Sequence, residues 1–332
     1  MRNNNAEPEY LARLAPVFQH EFIKQLKHLD YRYRKLNKYY FLISSKRSIK
    51  SIFLHSIFRV KMKFEVSGFT KKRINDLSEL MQDFVKKSIN KKTPFKISCS
   101  ISGTQTFNTN TIGMNAKDIE VAIGTKLELQ GYKIDLLKPK YIFILNIFNT
   151  VIIAGKVDLK NPAAINIIEK PEDISRAQLK LREAILYFKI DLSGVRNALD
   201  LGAAPGGFSK ELSMHGIKVI AVDTADLDKR LEKDRNITHL RIKAAEINSG
   251  QVFDMITNDM NIDPAESAQV MLSLSNLLRT NGSAVMTIKC PSRNIADYIK
   301  NTKKILSAKY TKFRFQHLPH NRMEITMFML KK

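Results

Sequence analysis

The sequence predicts an α/β chain in two main parts: an open, doubly wound sheet, mostly parallel with an antiparallel last strand, preceded by an α+β domain. Three observations carry this. The apolar run Ala198-Leu199-Asp200-Leu201 breaks into Gly202-Ala203-Ala204-Pro205-Gly206-Gly207 and restarts in helical rhythm at Phe208, a strand, tight turn and helix in succession. Beyond it, short apolar runs alternate with helical stretches, the pattern of parallel strands joined by crossover helices. Before residue 160 helices and strands follow in α+β order and basic residues dominate. The second part is therefore read as a Rossmann-like domain.

The chain has 332 residues, 44% of them hydrophobic, enough for two or three domains with real cores. No apolar run approaches the ~20 residues that span a bilayer, and Met1-Arg2-Asn3-Asn4-Asn5 lacks the apolar stretch of a signal peptide, so no membrane contact and a cytoplasmic location are expected. Cys99 and Cys290 lie far apart with no His or Cys cluster near either, which argues against a disulfide framework and against a bound metal. Both read as buried small hydrophobes. The net charge of +23 is a footprint of an anionic polymer partner. Its distribution is uneven: residues 1–160 hold 29 Lys+Arg against 13 Asp+Glu, residues 301–332 hold 8 against 1, and the stretch between is neutral.

In chain order, a helical rhythm over residues 18–29 is followed by a strand over 39–43, and residues 1–60 read as a small ferredoxin-like segment. A domain over 61–160 follows. It contains a strand at 61–66, an amphipathic helix over 74–89, an alternating strand at 95–100, an uncharged polar loop at 104–111, a helix over 115–130 closed by Gly131, and strands at 141–147 and 150–156. Pro162 and Pro171 frame a linker over 161–174. The domain 175–332 opens with a helix capped by Ser175. After the glycine turn come a strand ending at Asp223, a helix over 226–235, a strand near 238–242, a strand at 253–260 with Asp259 near its end, and a helix over 264–279. Asn281-Gly282 reads as a turn into a strand that ends on Lys289. A helix over 295–307 and strands at 311–317 and 323–330 close the chain, the last carrying Glu324 at its start.

Three glycines in six residues let the backbone approach a ligand, and the helix that follows aims free N–H groups at the same place. Asp223 falls where a nucleotide-binding sheet keeps its acceptor for ribose hydroxyls. The dinucleotide fingerprint is G-x-G-x-x-G, whereas here Pro205 stiffens a G-A-A-P-G-G turn, which favours S-adenosylmethionine over a dinucleotide. Gly206 reads as the place where a side chain would push against that cofactor. Ligands in open α/β sheets bind outside the carboxyl ends of the strands, where Asp259 and Lys289 lie and where an antiparallel last strand brings Glu324. Lys180, on the helical face of Ala177 and Ala184, can bury its stem and extend its ammonium toward the same rim.

Two resemblances extend this reading. The order of elements in residues 62–158, with Gly131-Tyr132-Lys133-Ile134-Asp135-Leu136-Leu137-Lys138-Pro139, resembles the THUMP domain, which implies RNA binding. The series Ser175-Arg176-x-x-x-Lys180-Leu181, Asp200-Leu201-Gly202-Ala203-x-Pro205-Gly206-Gly207, Asn258-Asp259-Met260, Ile288-Lys289 and Asn321-Arg322-x-Glu324 resembles the FtsJ-like ribose 2′-O-methyltransferases. Within these, His317-Leu318-Pro319-His320-Asn321-Arg322-Met323-Glu324 is similar to the closing motif of the RlmM branch. The resemblance implies S-adenosylmethionine as cofactor, a ribosomal or transfer RNA partner rather than DNA, and a Lys-Asp-Lys-Glu tetrad at Lys180, Asp259, Lys289 and Glu324. In it Lys289 acts on the 2′-hydroxyl as base or stabilising cation, Asp259 and Glu324 orient it, and Lys180 holds the ribose or its phosphate. Ser175, Gly202, Ala204, Pro205, Gly206, Gly207, Phe208, Asp223 and Asp259 are the implied cofactor contacts. The position that would serve the adenine departs from the branch, with Glu246 or a backbone amide as substitutes.

Three other readings are weighed. Methylation of a base amino group calls for prolines and an aromatic after the fourth strand, which Asn258-Asp259-Met260-Asn261 lacks. Thiol-based cytosine methylation would use Cys290, beside Lys289. A non-catalytic RNA-binding protein would have let the turn and the tetrad decay, and both are intact.

Overall fold

The computed structural model describes residues 7–65, 71–102, 115–149, 151–159, 170–248, 250–291 and 294–332. The polar loop expected at 104–111 and most of the expected linker lie outside them. The chain divides into two compact units, one of Met1–Leu14, Gln25–Ile49 and Ser56–Ala164, the other of Ala15–Lys24, Lys50–His55 and Ile165–Lys332.

In the first unit β1 (Glu9–Leu14), β2 (Arg32–Lys35), β3 (Tyr40–Ser44), β4 (Leu54–Glu65), β5 (Phe95–Ser102), β6 (Tyr141–Phe148) and β7 (Val151–Asp158) form one sheet in the order β2-β3-β1-β4-β7-β6-β5. β4 runs through the boundary expected at residue 60, so the segment before it and the domain after it share this sheet. Two helices bury apolar residues four apart: α2 (Lys71–Ser88) contributes Leu77, Met81 and Val85, and α3 (Ala116–Leu129) contributes Ile119, Ile123 and Leu127. They pack with Phe95, Ile97, Phe143 and Leu145 of β5 and β6. Asn115 caps α3 through a reciprocal pair with Asp118, and Gly131 takes the left-handed φ of 84° just past the helix end. A side chain at Gly155 on β7 would fall on the Phe58 ring and within 2.9 Å of the Arg59 carbonyl oxygen.

In the second unit β8 (Asn197–Leu201), β9 (Lys218–Val222), β10 (Ile237–Leu240), β11 (Phe253–Asn258), β12 (Leu278–Lys289), β13 (Tyr310–Gln316) and β14 (Glu324–Lys331) take the order β10-β9-β8-β11-β12-β14-β13. The neighbours from β10 through β12 pair in parallel, and β14 is antiparallel to both β12 and β13. This is the mixed α/β, Rossmann-like sheet expected, with its antiparallel last strand. The order reverses between β8 and β11, so the carboxyl ends of these strands flank the crevice of a doubly wound sheet. The helices are α4 (Arg176–Phe188), α5 (Gly207–Met214), α6 (Pro264–Ser273) and α7 (Ile295–Leu306). None among the described residues is long and apolar enough to cross a membrane.

Three local expectations fail. The helix expected over 226–235 is a single 3₁₀ turn, Lys229–Leu231, because only Leu231 finds a buried place and Asp228 closes the turn by accepting from the Arg230 N–H at 2.9 Å. The helix expected over 264–279 stops at Ser273, passes through a 3₁₀ turn and becomes β12 at Leu278. Asn281-Gly282 is not a turn between elements but a bulge inside β12. Phe253 pairs with Leu278 and Met255 already with Ser283, so extra residues are looped out, and Asn281 takes a φ of 58° to do it.

Two short segments from before residue 60 belong to the second unit. Phe18 and Phe22 are fully buried, Phe18 stacks on Phe53 at 5.4 Å, and the His317 ring lies 4.2 Å from Phe18. The backbone N–H of His317 donates to the Ile52 carbonyl at 2.6 Å, and the Gln316 amide donates to the Leu54 carbonyl at 2.6 Å.

Two outcomes are expected. Gly155→Val should destabilise the first unit by about 1–3 kcal/mol, read as a lower urea midpoint, since neither a strand backbone nor a packed ring yields cheaply. Burial pushes the His317 pKa down to about 4. An unfolded histidine takes its proton near pH 6.5 and this one only near 4, so His317 withdraws stability as pH falls through that window, on the order of 3 kcal/mol in full. Because the buried Asp200 carboxyl, pushed up to about 7, shifts stability the opposite way over the same window, the readout is the difference: from pH 7.5 to pH 5 the urea midpoint of the wild type should fall relative to that of His317→Leu.

Candidate functional site

β8 delivers the chain to the crevice at Gly202, whose φ of 69° is left-handed. A Cβ there would lie 2.7 Å from both the Cα and the N of Met260, so only glycine lets the ends of β8 and β11 approach this closely. The N–H groups of Gly202 and Ala203 donate to the Val222 carbonyl, and the Ala204 N–H donates to the Asp223 carboxylate at 3.0 Å. Asp223 also accepts from the Ala225 N–H at 2.9 Å. Gly206 turns with a φ of 107°, and Pro205 holds the next segment by accepting from the Asp228 N–H at 2.9 Å. The space behind Gly206 is filled by Leu231, so a substitution there meets the protein's own core before any cofactor. Gly207 opens α5 against the start of α4, where a Cβ would meet the Ser175 hydroxyl and the Gln178 N. Each of the three glycines is thus required by a close approach within the fold.

Ser175 stands at the cap position of α4, but its hydroxyl caps nothing and has no hydrogen-bond partner among the described residues. The helix start is closed instead by the Gln178 N–H on the Ser175 carbonyl and by the Gln178 side chain, which accepts from the Ile174 N–H at 2.8 Å. Phe208 is buried, and its ring centre lies 5.9 Å from the Lys180 ammonium. Glu246 is exposed, its carboxylate turned back onto the Lys243 N–H.

The four residues of the expected tetrad come together. Lys180 projects from α4, Asp259 follows β11, Lys289 ends β12 and Glu324 begins β14, where the antiparallel register sets it directly opposite Lys289. The Lys180 ammonium lies 2.8 and 2.6 Å from the two Asp259 oxygens and 3.2 Å from Glu324 Oε1. The Lys289 ammonium lies 2.7 Å from Asp259 Oδ1 and 2.7 Å from Glu324 Oε2. Each carboxylate therefore bridges both lysines. The two cations are not equivalent, because the Lys180 side chain is 3% exposed and that of Lys289 18%. Both ammonium groups bind both carboxylates, and Lys289 is the more accessible of the two. Burial opposes the Lys289 ammonium, but the Asp259 and Glu324 carboxylates outweigh it and hold its pKa above the ordinary lysine value. Burial likewise opposes the Glu324 carboxylate, and the two lysines hold its pKa below the usual range.

Several supporting residues escaped the sequence reading. The Thr287 hydroxyl donates to Asp259 Oδ1 at 2.6 Å. It lies two residues before Lys289 on the same strand, so the alternation of faces was the available signal. Asp200 is fully buried and accepts from the Ser209 and Thr257 hydroxyls at 2.6 and 2.8 Å, which ties α5 to β11, and burial pushes its carboxyl up to about 7. Cys290 is buried with its thiol pushed up to about 12 by burial, and Cys99 likewise, so neither supplies a thiolate. Among the described residues no group of acidic, His and Cys side chains is arranged to hold a metal.

Residues 174–311 match the family model of FtsJ-like methyltransferases. The chain is 32% identical over 164 residues to an uncharacterized protein of Methanocaldococcus jannaschii, covering 48% of this chain and 44% of that one. It is 29% identical over 182 residues to the ribosomal RNA large subunit methyltransferase M of Methylococcus capsulatus, covering 51% of each. The protein of that name in Marinomonas is 28% identical over 172 residues, covering 48% of each. The chain spans about half the length of the curated relatives it matches.

Proposed function

We propose that this chain is an S-adenosylmethionine-dependent RNA methyltransferase that modifies a ribose 2′-hydroxyl of structured RNA. The observation that carries the reading is the Lys289 ammonium, the more accessible of the two lysines and held between two carboxylates at the strand ends of an FtsJ-like domain. The names of two relatives favour ribosomal over transfer RNA. The excess of basic residues over 1–160 supports the first unit, THUMP-like in sequence, as an RNA-holding part, since phosphate contacts by Lys and Arg supply most sequence-independent affinity.

The residues fit the cofactor. Asp223 closes β9 beside the glycine turn and uses one lone pair of each oxygen on a backbone N–H, which leaves acceptor capacity for a pair of ribose hydroxyls. Asp223, the backbone from Gly202 to Gly207 and the rim at Asp259 would hold it; when bound, it supplies an activated methyl group. The rest of the chemistry falls to the chain. A ribose hydroxyl is a weak nucleophile and must be oriented and relieved of its proton. Asp259 and Glu324 keep Lys289 charged, so the group that first meets the hydroxyl is an ammonium, suited to stabilising an alkoxide as it develops. To act as base, Lys289 must first release its own proton. Lys180 balances the carboxylates from behind and orients them, a different role from gripping the ribose.

Lys289→Ala should lower the rate of methyl transfer by about 10²–10⁴-fold while S-adenosylmethionine and RNA binding stay within a few-fold, because the interaction is made mostly in the transition state. Cys290→Ser should be nearly neutral beside it. Nucleoside mass spectrometry of RNA from cells with and without the gene, fractionated into rRNA and tRNA, reads the product. A methylated base, or an active Lys289→Ala beside an inactive Cys290→Ser, would sink the ribose assignment.

A further inference from the structure

Glu324 reaches both lysines only in one register of β14. Side chains alternate along a strand, so a slip of one residue would put Met323 or Ile325 opposite Lys289 and turn the carboxylate to the other face. The β12–β14 ladder holds that register, and the connection over residues 317–323 that leads into it is tied at every step. At its far end the Cys290 N–H, next to Lys289, donates to the Met323 carbonyl at 2.7 Å. In its middle the His320 N–H and ring Nδ1 meet the fully buried Glu183 carboxylate at 3.0 and 2.6 Å, one helical turn after Lys180 on α4. Asn321 closes it internally, its side-chain oxygen accepting from the Leu318 N–H and the Thr326 hydroxyl.

Its near end is His317, fully buried with its ring between Phe18 and His55. His317 Nε2 lies 3.0 Å from the Arg322 carbonyl oxygen, and a carbonyl only accepts, so Nε2 carries the hydrogen. In a neutral ring Nδ1 is then an acceptor. Its 2.6 Å contact with His55 Nε2 is a hydrogen bond donated by His55, the two rings lying near-parallel with centres 4.5 Å apart. The partners place a hydrogen on Nε2 of each ring, and burial keeps His317 neutral at ordinary pH. The Arg322 carbonyl that His317 holds is two residues from Glu324.

We infer that the His55–His317 pair is a positioning device for Glu324, fixing the 317–323 connection so that β14 enters the sheet in the one register that completes the tetrad. The inference rests on the methyl-transfer reading above. The charged and titratable groups that bear on His317 are His55, Arg322 through its carbonyl, and Glu324. Neither histidine touches the reacting atoms. Their effect passes through the carboxylate, and that gives the test its discriminating power.

The experiment measures steady-state methyl transfer by the full chain on total rRNA from cells lacking the gene, with kcat and with KM for S-adenosylmethionine and rRNA, in His317→Leu, His317→Gln and His55→Phe, each alone and combined with Glu324→Gln. His317→Leu should lower kcat by about tenfold or more with both KM values within threefold. His317→Gln, whose amide both donates and accepts, should regain most of it, and His55→Phe, which keeps an aromatic ring beside His317 and loses the donor, should fall several-fold. With Glu324→Gln already present, none should lower kcat further, since the coupling runs through that carboxylate. His55 is only half-buried, so His55→Phe carries the test if His317→Leu does not fold. Unchanged kcat in the folded variants, or the same fold-loss repeated in the Glu324→Gln background, would overturn the inference alone. A wild-type protein that methylates no RNA would overturn the functional reading beneath it.

Discussion

Two lysines and two carboxylates share one partly dry space, and the second unit is arranged around keeping them there together. Charges taken out of water lose several kcal/mol of hydration each, and close pairing returns this only with good geometry. Here the balance is even, two positive against two negative, and each carboxylate spans both cations. Removing any one member would strand a partner in a poor solvent, with a cost that typically reaches about 3–5 kcal/mol. Four elements far apart in sequence must meet within hydrogen-bonding distance. A sheet does this well, because β11, β12 and β14 fix three of the four through backbone ladders and leave only Lys180 to come from a helix.

The same economy governs the crevice beside the network. The sheet reverses its winding between β8 and β11, and the glycine at the end of β8 exists because Met260 crosses there. Asp200, one strand position inside, binds hydroxyls from α5 and β11 and so joins the turn to the strand that bears Asp259. The glycine turn and Asp259 are thus held by one buried carboxyl group. Neighbouring the Asp259 charge and away from water, that carboxyl sits near neutrality in its proton affinity.

The sheet was legible in the sequence because it is written in local pattern, apolar runs of strand length and a glycine turn; that pattern put polar residues at one rim, and the resemblance to the FtsJ-like family grouped four of them as a tetrad. The structure brings Lys180, Asp259, Lys289 and Glu324 into contact where the strand ends predicted. Long-range packing was not legible. Residues 226–235 have charges spaced for a helix but only Leu231 to bury, so tertiary context won over propensity. Asn281-Gly282 has turn chemistry, yet β12 absorbs it as a bulge because Ser283 and the residues after it find partners on β11. Nor did the sequence show that a Cβ at each glycine of the turn would meet the protein itself, or that the hydroxyl of Ser175 caps nothing. His317 looked like part of a motif, and nothing local could show that its partner is His55.

That partner lies 262 residues earlier in the chain. The second unit is discontinuous: residues 15–24 and 50–55 leave the ribosome first and must wait for the last strands before they can settle. Contacts of such sequence separation are slow to form, because the entropy of closing a long loop is lost before any contact repays it. Until then Phe18, Phe22 and Phe53 have no core to enter, and a nascent chain carries them as sticky surface. Synthesis therefore cannot finish this domain piecemeal. The second unit becomes complete only when residues 15–24 and the strands over 310–331 have both been made, so a product that stops short of Glu324 carries every glycine of the turn and still lacks the site.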